Sequence, residues 1–187
     1  MVQLRSLADR MIRAARLEAD LYKEVESDTT ANGQALLAVV IASLASALGV
    51  GIAGVIEERW LWLLWGICIG LIMSIIGWLV WSVLAYWLGT TIFRGPKTSA
   101  TYEELLRIIA FAHSPRVLSF FIFVPFVGGL IAFVVFVWAL IAGVIAVRQA
   151  LDLSTWRAIG TCVVGWLIYV LIVFLVIGLV LGGTALF

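Results

Sequence analysis

The stretch from Ser99 to Asp152 constrains the fold more than any other part of the chain. It begins with an amphipathic helical pattern, SATYEELLRIIAFAHSPRVLSFF, turns through FVPFVGG, and returns as the apolar run LIAFVVFVWALIAGVIAV up to Arg148. Charged residues flank this hairpin at both ends, whereas His113 and Arg116 lie inside otherwise apolar sequence. A soluble domain has no need of such a hairpin, but a lipid bilayer accommodates it. The pattern therefore predicts a membrane protein with several spans.

The composition agrees with a membrane environment. Of the 187 residues, 64% are hydrophobic and 12% are charged, whereas soluble domains carry about 25% charged residues. The net charge of +1 offers no basic patch, so we expect no nucleic-acid partner. The N-terminal residues are charged and periodic rather than apolar, unlike a cleaved signal peptide. We therefore expect the N-terminus to stay in the cytoplasm.

Five apolar segments are long enough to cross a hydrocarbon core of about 30 Å. They are residues 34–56, 60–88, 105–124, 130–147 and 156–183, and residues 1–33 form a separate amphipathic segment before a membrane domain of residues 34–187. The sequence thus predicts an all-α polytopic membrane helical bundle with an N-terminal amphipathic helix. Four spans are possible if residues 99–115 lie on the surface. That alternative places Arg148 and Arg157 outside, and the positive-inside rule favours five spans.

The N-terminal segment is predicted to be one amphipathic helix over residues 2–26, because apolar residues recur there at three- or four-residue spacing. It could lie on the membrane with its basic residues toward anionic lipid. It could instead pack on a neighbouring subunit, or simply be a solvated lead-in to the first span. The candidate lipid or partner surface consists of the basic residues Arg5, Arg10, Arg13, Arg16 and Lys23.

Small residues at every fourth position predict close helix packing in the first and last spans. They are Ser43, Ala47 and Gly51 in the first span and Gly178 and Gly182 in the last. Small faces let helices approach closely in lipid, so we expect contacts within the bundle, with further copies or with other membrane proteins. In the second span, aromatic residues near both ends predict interfacial belts, and a tryptophan cage for a ligand is the alternative. These residues are Trp60, Trp62, Trp65, Trp78, Trp81, Tyr86 and Trp87.

The third span contains the one feature that resembles a binding site. Ser99 or Thr101 can cap its helix, and Glu103 is placed for an i,i+4 pair with Arg107. A kink is expected at Pro115, which removes a backbone hydrogen bond. An ionisable residue inside a membrane span indicates function, so the candidate intramembrane polar site is His113, Pro115 and Arg116. Its candidate acidic partners are Glu57, Glu58, Glu103, Glu104 and Asp152. In the alternative interpretation Pro115 only kinks the helix, and Arg116 extends toward the headgroups.

Three longer stretches, ARLEADLYKEVESDTTANGQALL, GPKTSATYEELLRIIAFAHSP and AVRQALDLSTWRAIG, resemble the prokaryotic branch of the Yip family, membrane proteins named for their interaction with Ypt/Rab GTPases. The resemblance implies a five-span helical domain with a cytoplasmic N-terminus, in this branch within the prokaryotic cytoplasmic membrane. Eukaryotic relatives work in vesicle trafficking and bind prenylated Rab GTPases and one another. Because this chain has no long N-terminal cytosolic region, we expect no Rab-type partner.

No catalytic constellation is visible in the sequence. The chain has one histidine and no G-x-x-x-x-G-K-[ST], G-x-S-x-G or C-x-x-C motif. We therefore expect no enzyme activity, no catalytic or cofactor-binding residues and no metal site, with Cys68 and Cys162 as buried free thiols. The expected function is a membrane scaffold that binds lipids or partner membrane proteins. The alternative is a small transporter or channel that uses the broken helix at Pro115.

Overall fold

The computed structural model describes residues 2–56 and 61–184. Five of its helical segments are long and apolar enough to cross a membrane: Thr29–Ile56, Ile67–Thr90, Tyr102–Phe123, Gly128–Ala150 and Thr155–Val176. The described residues contain helices and no strand. The predicted all-α membrane bundle with five spans is therefore confirmed.

Seven α-helices and two 3₁₀ stretches make up the described part of the chain. The helices are α1 (Val2–Ala15), α2 (Ala19–Ser27), α3 (Asn32–Ile56), α4 (Leu61–Thr90), α5 (Tyr102–Ala112), α6 (Gly128–Ala150) and α7 (Thr155–Thr184). A short 3₁₀ turn, Thr29–Ala31, precedes α3. A longer stretch, Ser114–Phe123, continues from α5 and is called the 3₁₀ segment below.

The helices pack around the third span. Helix α3 packs against the 3₁₀ segment and α4, α4 against α7, and α6 against α5, α7 and the 3₁₀ segment. Helix α5 is the most enclosed of these elements, because Leu105, Ile108, Ile109 and Phe111 are all buried. The core of the bundle therefore lies along α5.

The small-residue face of α3 is used inside the bundle, as its spacing predicts. Ser43, Ala47 and Gly51 are buried. A Cβ atom at Gly49 would lie 2.7 Å from the carbonyl oxygen of Phe120 and closer still to that of Ser119. The backbones of α3 and the 3₁₀ segment therefore touch at Gly49, where a side chain has no room.

The N-terminal segment is two helices rather than the single helix predicted over residues 2–26. The chain turns between α1 and α2, where Leu17 has a positive φ of 63°. Leu21, Tyr22 and Val25 of α2 are buried in the core, and Trp138 of α6 donates its indole N–H to the carbonyl oxygen of Ala15 at 2.7 Å. The apolar faces of both helices therefore pack on the chain's own bundle.

The third span is also different from the kinked α-helix predicted over residues 105–124. Helix α5 ends at Ala112, and the chain continues as a ten-residue 3₁₀ helix. Pro115 has no N–H to donate to the carbonyl of Phe111, as an α-helix would require. The hydroxyl of Ser114 donates to that carbonyl instead, at 2.6 Å. The proline thus changes the helix type rather than bending an α-helix.

The interfacial belt predicted for the second span is wrong for two of its tryptophans. Trp78 is buried and donates its indole N–H to the carbonyl oxygen of Leu106 at 3.2 Å, and Trp81 packs against the core. Trp87 is exposed, as a belt residue should be. Trp60 and the side chains of Trp62 and Trp65 lie outside the described residues.

Both cysteines are free thiols, as predicted. Cys162 is buried in α7, as expected. The prediction of burial is wrong for Cys68, which is exposed on α4.

Candidate functional site

A cavity of about 180 Å³ lies between α4, α6, α7 and the junction of α5 with the 3₁₀ segment. The polar side chains in its wall belong to Ser74, His113, Arg116 and Tyr169, together with the indole of Trp78. The apolar part of the wall includes Trp81, Phe136, Leu140, Cys162 and Trp166. The structure therefore places both ionisable residues of the predicted polar site in one cavity.

Arg116 lies deep in the third span. By simple helical rise, its Cα is about 23 Å along the chain axis from Tyr102 and about 14 Å from Phe123. Its backbone N–H donates to the carbonyl of His113 at 2.9 Å, and its own carbonyl accepts from the hydroxyl of Ser46 at 3.3 Å. The backbone at Arg116 is therefore tied both to its own segment and to α3.

The guanidinium of Arg116 has no hydrogen-bond or ion-pair partner within residues 2–56 and 61–184. The residue is exposed although protein surrounds it, because its side chain faces the cavity. Arginine offers five N–H donors in a planar fork and carries its charge at every accessible pH. The cavity therefore contains a cationic donor group that no described residue engages.

His113 has one of its ring nitrogens fixed by the backbone. Its Nδ1 lies 2.9 Å from the carbonyl oxygen of Ile109, and a carbonyl can only accept. Nδ1 therefore carries the hydrogen, and Nε2 of the neutral ring keeps a free lone pair. The imidazole can thus accept one hydrogen bond from a group in the cavity.

Tyr169 reaches the cavity from α7 because the opposite residue on α4 is a glycine. A Cβ atom at Gly77 would lie 3.0 Å from the Tyr169 hydroxyl. Nearby, the rings of Phe136 and Trp166 are 6.5 Å apart. Phe136, Trp166 and Tyr169 were not among the residues that the sequence pattern predicts for a site. The signal closest to them was the tryptophan cage, which included Trp78 and Trp81.

The structure brings none of the described candidate carboxylates to Arg116. Glu103 is exposed in the first turn of α5. Glu104 accepts from the backbone N–H of Thr101 at 2.7 Å and completes the predicted cap. Asp152 pairs with Lys23 at 2.9 Å. Glu57 and Glu58 lie outside the described residues, and their pairing with Arg116 stays a prediction.

The predicted pair between Glu103 and Arg107 does not form. Arg107 is buried and turns toward the N-terminal helices, where it donates to Asn32 Oδ1 at 3.2 Å and to the carbonyl oxygen of Glu26 at 2.9 Å. These tertiary acceptors engage the two terminal nitrogens of a guanidinium that has left water, whereas its buried Nε has no partner among the described residues.

Three of the five candidate surface cations form ion pairs inside the chain. Arg10 pairs with Asp28 at 2.7 Å, and Arg13 pairs with Glu24 at 2.7 Å, while Lys23 pairs with Asp152. The hydrogen bond from Arg13 is the main reason why the pKa of Glu24 is lowered. Arg16 is exposed, and the side chain of Arg5 lies outside the described part. The lipid or partner surface of these five residues stays a prediction.

Metal-ligating side chains do not gather in groups of three or more anywhere in the described ranges. The cavity itself offers one histidine and one cysteine, Cys162, beside a cation. Its chemistry therefore suits an anionic or hydrogen-bonding ligand rather than a metal ion.

An all-helical bundle with five apolar spans and almost no charge inside them is a polytopic integral membrane protein. The family model of the Yip1 domain matches residues 19–178, so the chain belongs to the Yip family. The match extends from the first residue of α2 into α7 and includes every residue of the cavity wall. No curated protein and no solved structure matches the chain.

Proposed function

We propose that the protein is a non-enzymatic scaffold of the prokaryotic cytoplasmic membrane, with its N-terminus in the cytoplasm. It organises the membrane by binding lipids or partner membrane proteins. The membrane domain begins near residue 34 and carries these contacts, and the basic N-terminal segment adds contacts at the cytoplasmic surface. A Rab-type GTPase is not among its partners in this proposal.

The observation that carries the proposal is the free surface of α7. From residue 170 to residue 179, every side chain that the structure describes is exposed except that of Val173. Phe174 and Leu179 are each 76% exposed. A Cβ atom at Gly178 would meet nothing within 4 Å. This half of α7 therefore offers a second helix an apolar surface with a small residue that permits close approach.

The charges in the spans support a scaffold over an ion pathway. Among the described spans, carboxylates occur only at Glu103 and Glu104, in the first turn of α5. Proton relays and cation paths through membranes are built from intramembrane acidic residues. Such a path has no carboxylate to use in the described middle of this bundle.

Cross-linking in native membranes tests the proposal. Phe174→Cys, in a background with Cys68→Ala and Cys162→Ala, should give a cross-linked product larger than the monomer with a short bismaleimide. Gly178→Leu should reduce this product several-fold, because the larger side chain keeps a second helix away. Gly129→Leu is the matched control, since a Cβ there also meets nothing within 4 Å. Absence of any cross-linked product, or an equal yield in both leucine variants, would contradict the proposal.

A small transporter or channel is the second candidate, and the cavity beside the 3₁₀ segment favours it. Helices broken in mid-span commonly line the binding sites of transporters. Arg116→Leu separates the two functions. A scaffold keeps its Phe174→Cys cross-link in this variant, whereas a transporter loses the flux measured as swelling of proteoliposomes in chloride or acetate salts.

A further inference from the structure

We propose that the cavity binds the head of a long-chain carboxylic acid, whose carboxylate pairs with Arg116 while its hydrocarbon chain extends into the bilayer. The proposal specifies one lipid for the scaffold described above and in that respect rests on the proposed function. Four features of the cavity support the acid as its ligand: its charge, its polar groups, its volume and the surface on which it opens.

The charge of the cavity selects an anion. Arg116 is the one permanently charged residue in the described wall, and none of the wall residues is acidic. A guanidinium without a counterion is costly inside a membrane span. A carboxylate offers two oxygens in the geometry of the arginine fork, so that two parallel charge-assisted hydrogen bonds can form.

Two further groups in the wall can contact the same head. The hydroxyl of Tyr169 has no hydrogen-bond partner in the described part of the chain and can donate to a carboxylate oxygen. Nε2 of His113 is the free acceptor defined above and can accept a hydrogen bond from the O–H of the neutral acid as it arrives. When the acid ionises, its O–H bond breaks, the proton passes to water outside the protein, and the carboxylate pairs with Arg116.

The size of the cavity favours a small head on a single chain. Pockets that enclose a whole drug-sized ligand measure about 300–1,000 Å³, whereas this cavity measures about 180 Å³. It holds a carboxyl group with a few methylenes, but not the glycerol and two chains of a phospholipid. The remaining chain must therefore lie outside the cavity.

The cavity opens on surfaces that face hydrocarbon. Four of its apolar wall residues, Met73, Phe136, Leu140 and Trp166, are exposed on α4, α6 and α7. A ligand reaching Arg116 from this side must cross apolar lipid. A carboxylic acid can do so in its neutral form, whereas a phosphodiester headgroup would have to cross as an ion.

Tryptophan quenching measures the binding directly, because Trp78, Trp81 and Trp166 line the site. The purified full-length protein, in nanodiscs of zwitterionic lipid, is titrated with dibromostearic acid and with the matched dibromostearyl alcohol. The acid should quench at a concentration at least about tenfold lower than the alcohol, because only the acid pairs with Arg116. Arg116→Gln should abolish this difference between acid and alcohol.

A second variant tests the cavity without changing its charge. A Cβ atom at Gly143 meets nothing within 4 Å, and Gly143 belongs to the cavity wall. Gly143→Leu should therefore fill the cavity and weaken quenching by the acid, while the helical circular dichroism stays unchanged. Gly129→Leu is the matched control outside the cavity, since a Cβ there also meets nothing within 4 Å, and it should leave quenching as in the wild type.

Three results would overturn the proposal. Equal quenching by acid and alcohol in the wild type would show insertion into the surrounding lipid only. Unchanged discrimination in folded Arg116→Gln or Gly143→Leu would place the acid elsewhere. Displacement of dibromostearic acid by phosphatidylglycerol or by inorganic phosphate, but not by stearic acid, would assign the site to phosphate.

The two experiments separate failure of the acid-binding site from failure of the scaffold function. If Phe174→Cys gives no cross-linked product but the acid is still preferred over the alcohol, the scaffold fails and the acid site stands. If the cross-link forms and the preference for the acid is absent, the acid site fails and the scaffold stands.

Discussion

Arg107 and Arg116 belong to the same membrane span, yet their surroundings are opposite. Arg107 lies between α2, α3 and α5, is 3% exposed, and donates to oxygens of Glu26 and Asn32. Arg116 faces the cavity between α4, α6 and α7, and its guanidinium has no partner in the part of the chain that the structure describes. The guanidinium of Arg107 is thus hydrogen-bonded within the fold, whereas that of Arg116 has no partner among the described residues.

The difference follows from where the N-terminal helices lie. Helix α2 supplies the backbone carbonyl of Glu26 next to α5, and the N-terminal helices also place Arg10 and Arg13 beside carboxylates. The cavity is lined mainly by apolar helix faces, and no described wall residue is a carboxylate that could pair with a cation. The N-terminal region therefore stabilises the bundle through matched polar groups, whereas the cavity retains binding capacity.

The largest expected effect is that of Arg107→Met. It removes the charged donor from two part-buried hydrogen bonds, those to the carbonyl of Glu26 and to the amide oxygen of Asn32, so the free energy of unfolding should fall by about 2–4 kcal/mol. Thermal and detergent-induced unfolding of the purified protein, followed by tryptophan fluorescence, measures the change. Arg107→Lys, which keeps a charged donor, should lose less. If Arg107→Met lowers the free energy of unfolding no more than Arg116→Leu does, the two arginines do not differ in their contribution to stability.

Gly49→Ala should have the next largest effect, because it changes the α3 backbone contact that supports the 3₁₀ segment. Crowding against the carbonyls of Ser119 and Phe120 should lower the free energy of unfolding by about 1–3 kcal/mol. Gly33→Ala in the same helix is the matched control, since its Cβ meets nothing within 4 Å. The control should be neutral or stabilising by up to about 1 kcal/mol. Equal effects in the two variants would show that the contact is not tight.

A smaller effect is expected from acidification of the N-terminal ion pairs. The pKa of Glu24 is lower in the folded protein than in the unfolded chain, chiefly because of the hydrogen bond from Arg13. Its contribution is therefore fully present above the unfolded pKa, about 4.3 for glutamate, and is lost as the pH falls through the lower folded pKa. Glu24 is partly exposed, so solvent screening limits the loss to about 0.2–1 kcal/mol.

Glu24→Gln tests this pH dependence. The melting temperature of the variant should fall less between pH 7 and pH 3 than that of the wild type. An identical fall in melting temperature in both proteins would mean that Glu24 contributes nothing to stability. The ion pairs of the N-terminal region would then be close contacts without a stabilising effect.

The smallest loss is expected for Arg116→Leu, because no partner among the described residues is left unsatisfied. The free energy of unfolding should stay within about 0.5 kcal/mol of the wild type or increase. The same unfolding measurements apply. A loss as large as that of Arg107→Met would show that Arg116 is a structural residue, and the contrast would disappear.

The spans and the local cap could be predicted from the sequence because both depend on residues close together in the chain. A hydrocarbon core requires long apolar segments, and five such segments are present. Thr101 and Glu104 are three residues apart, and they form the reciprocal capping box. The small face of α3 followed from its spacing alone.

The cavity and the fate of the two arginines could not be predicted in this way. Trp81, Phe136 and Tyr169 meet only because three helices are rotated so that these side chains face one another. Local spacing favoured a pair between Glu103 and Arg107, but the oxygens of Glu26 in α2 and Asn32 in α3 accept from the guanidinium instead. Pro115 indicated a break, while the hydrogen-bond pattern that follows depends on the contact of this segment with α3.

The 3₁₀ segment makes the third span longer than its residue count would make it as an α-helix. Ten residues cover about 20 Å as a 3₁₀ helix but about 15 Å as an α-helix. The difference of about 5 Å is comparable to the few ångströms by which biological bilayers differ in hydrophobic thickness. The third span thus gains about the length of three α-helical residues without an added residue.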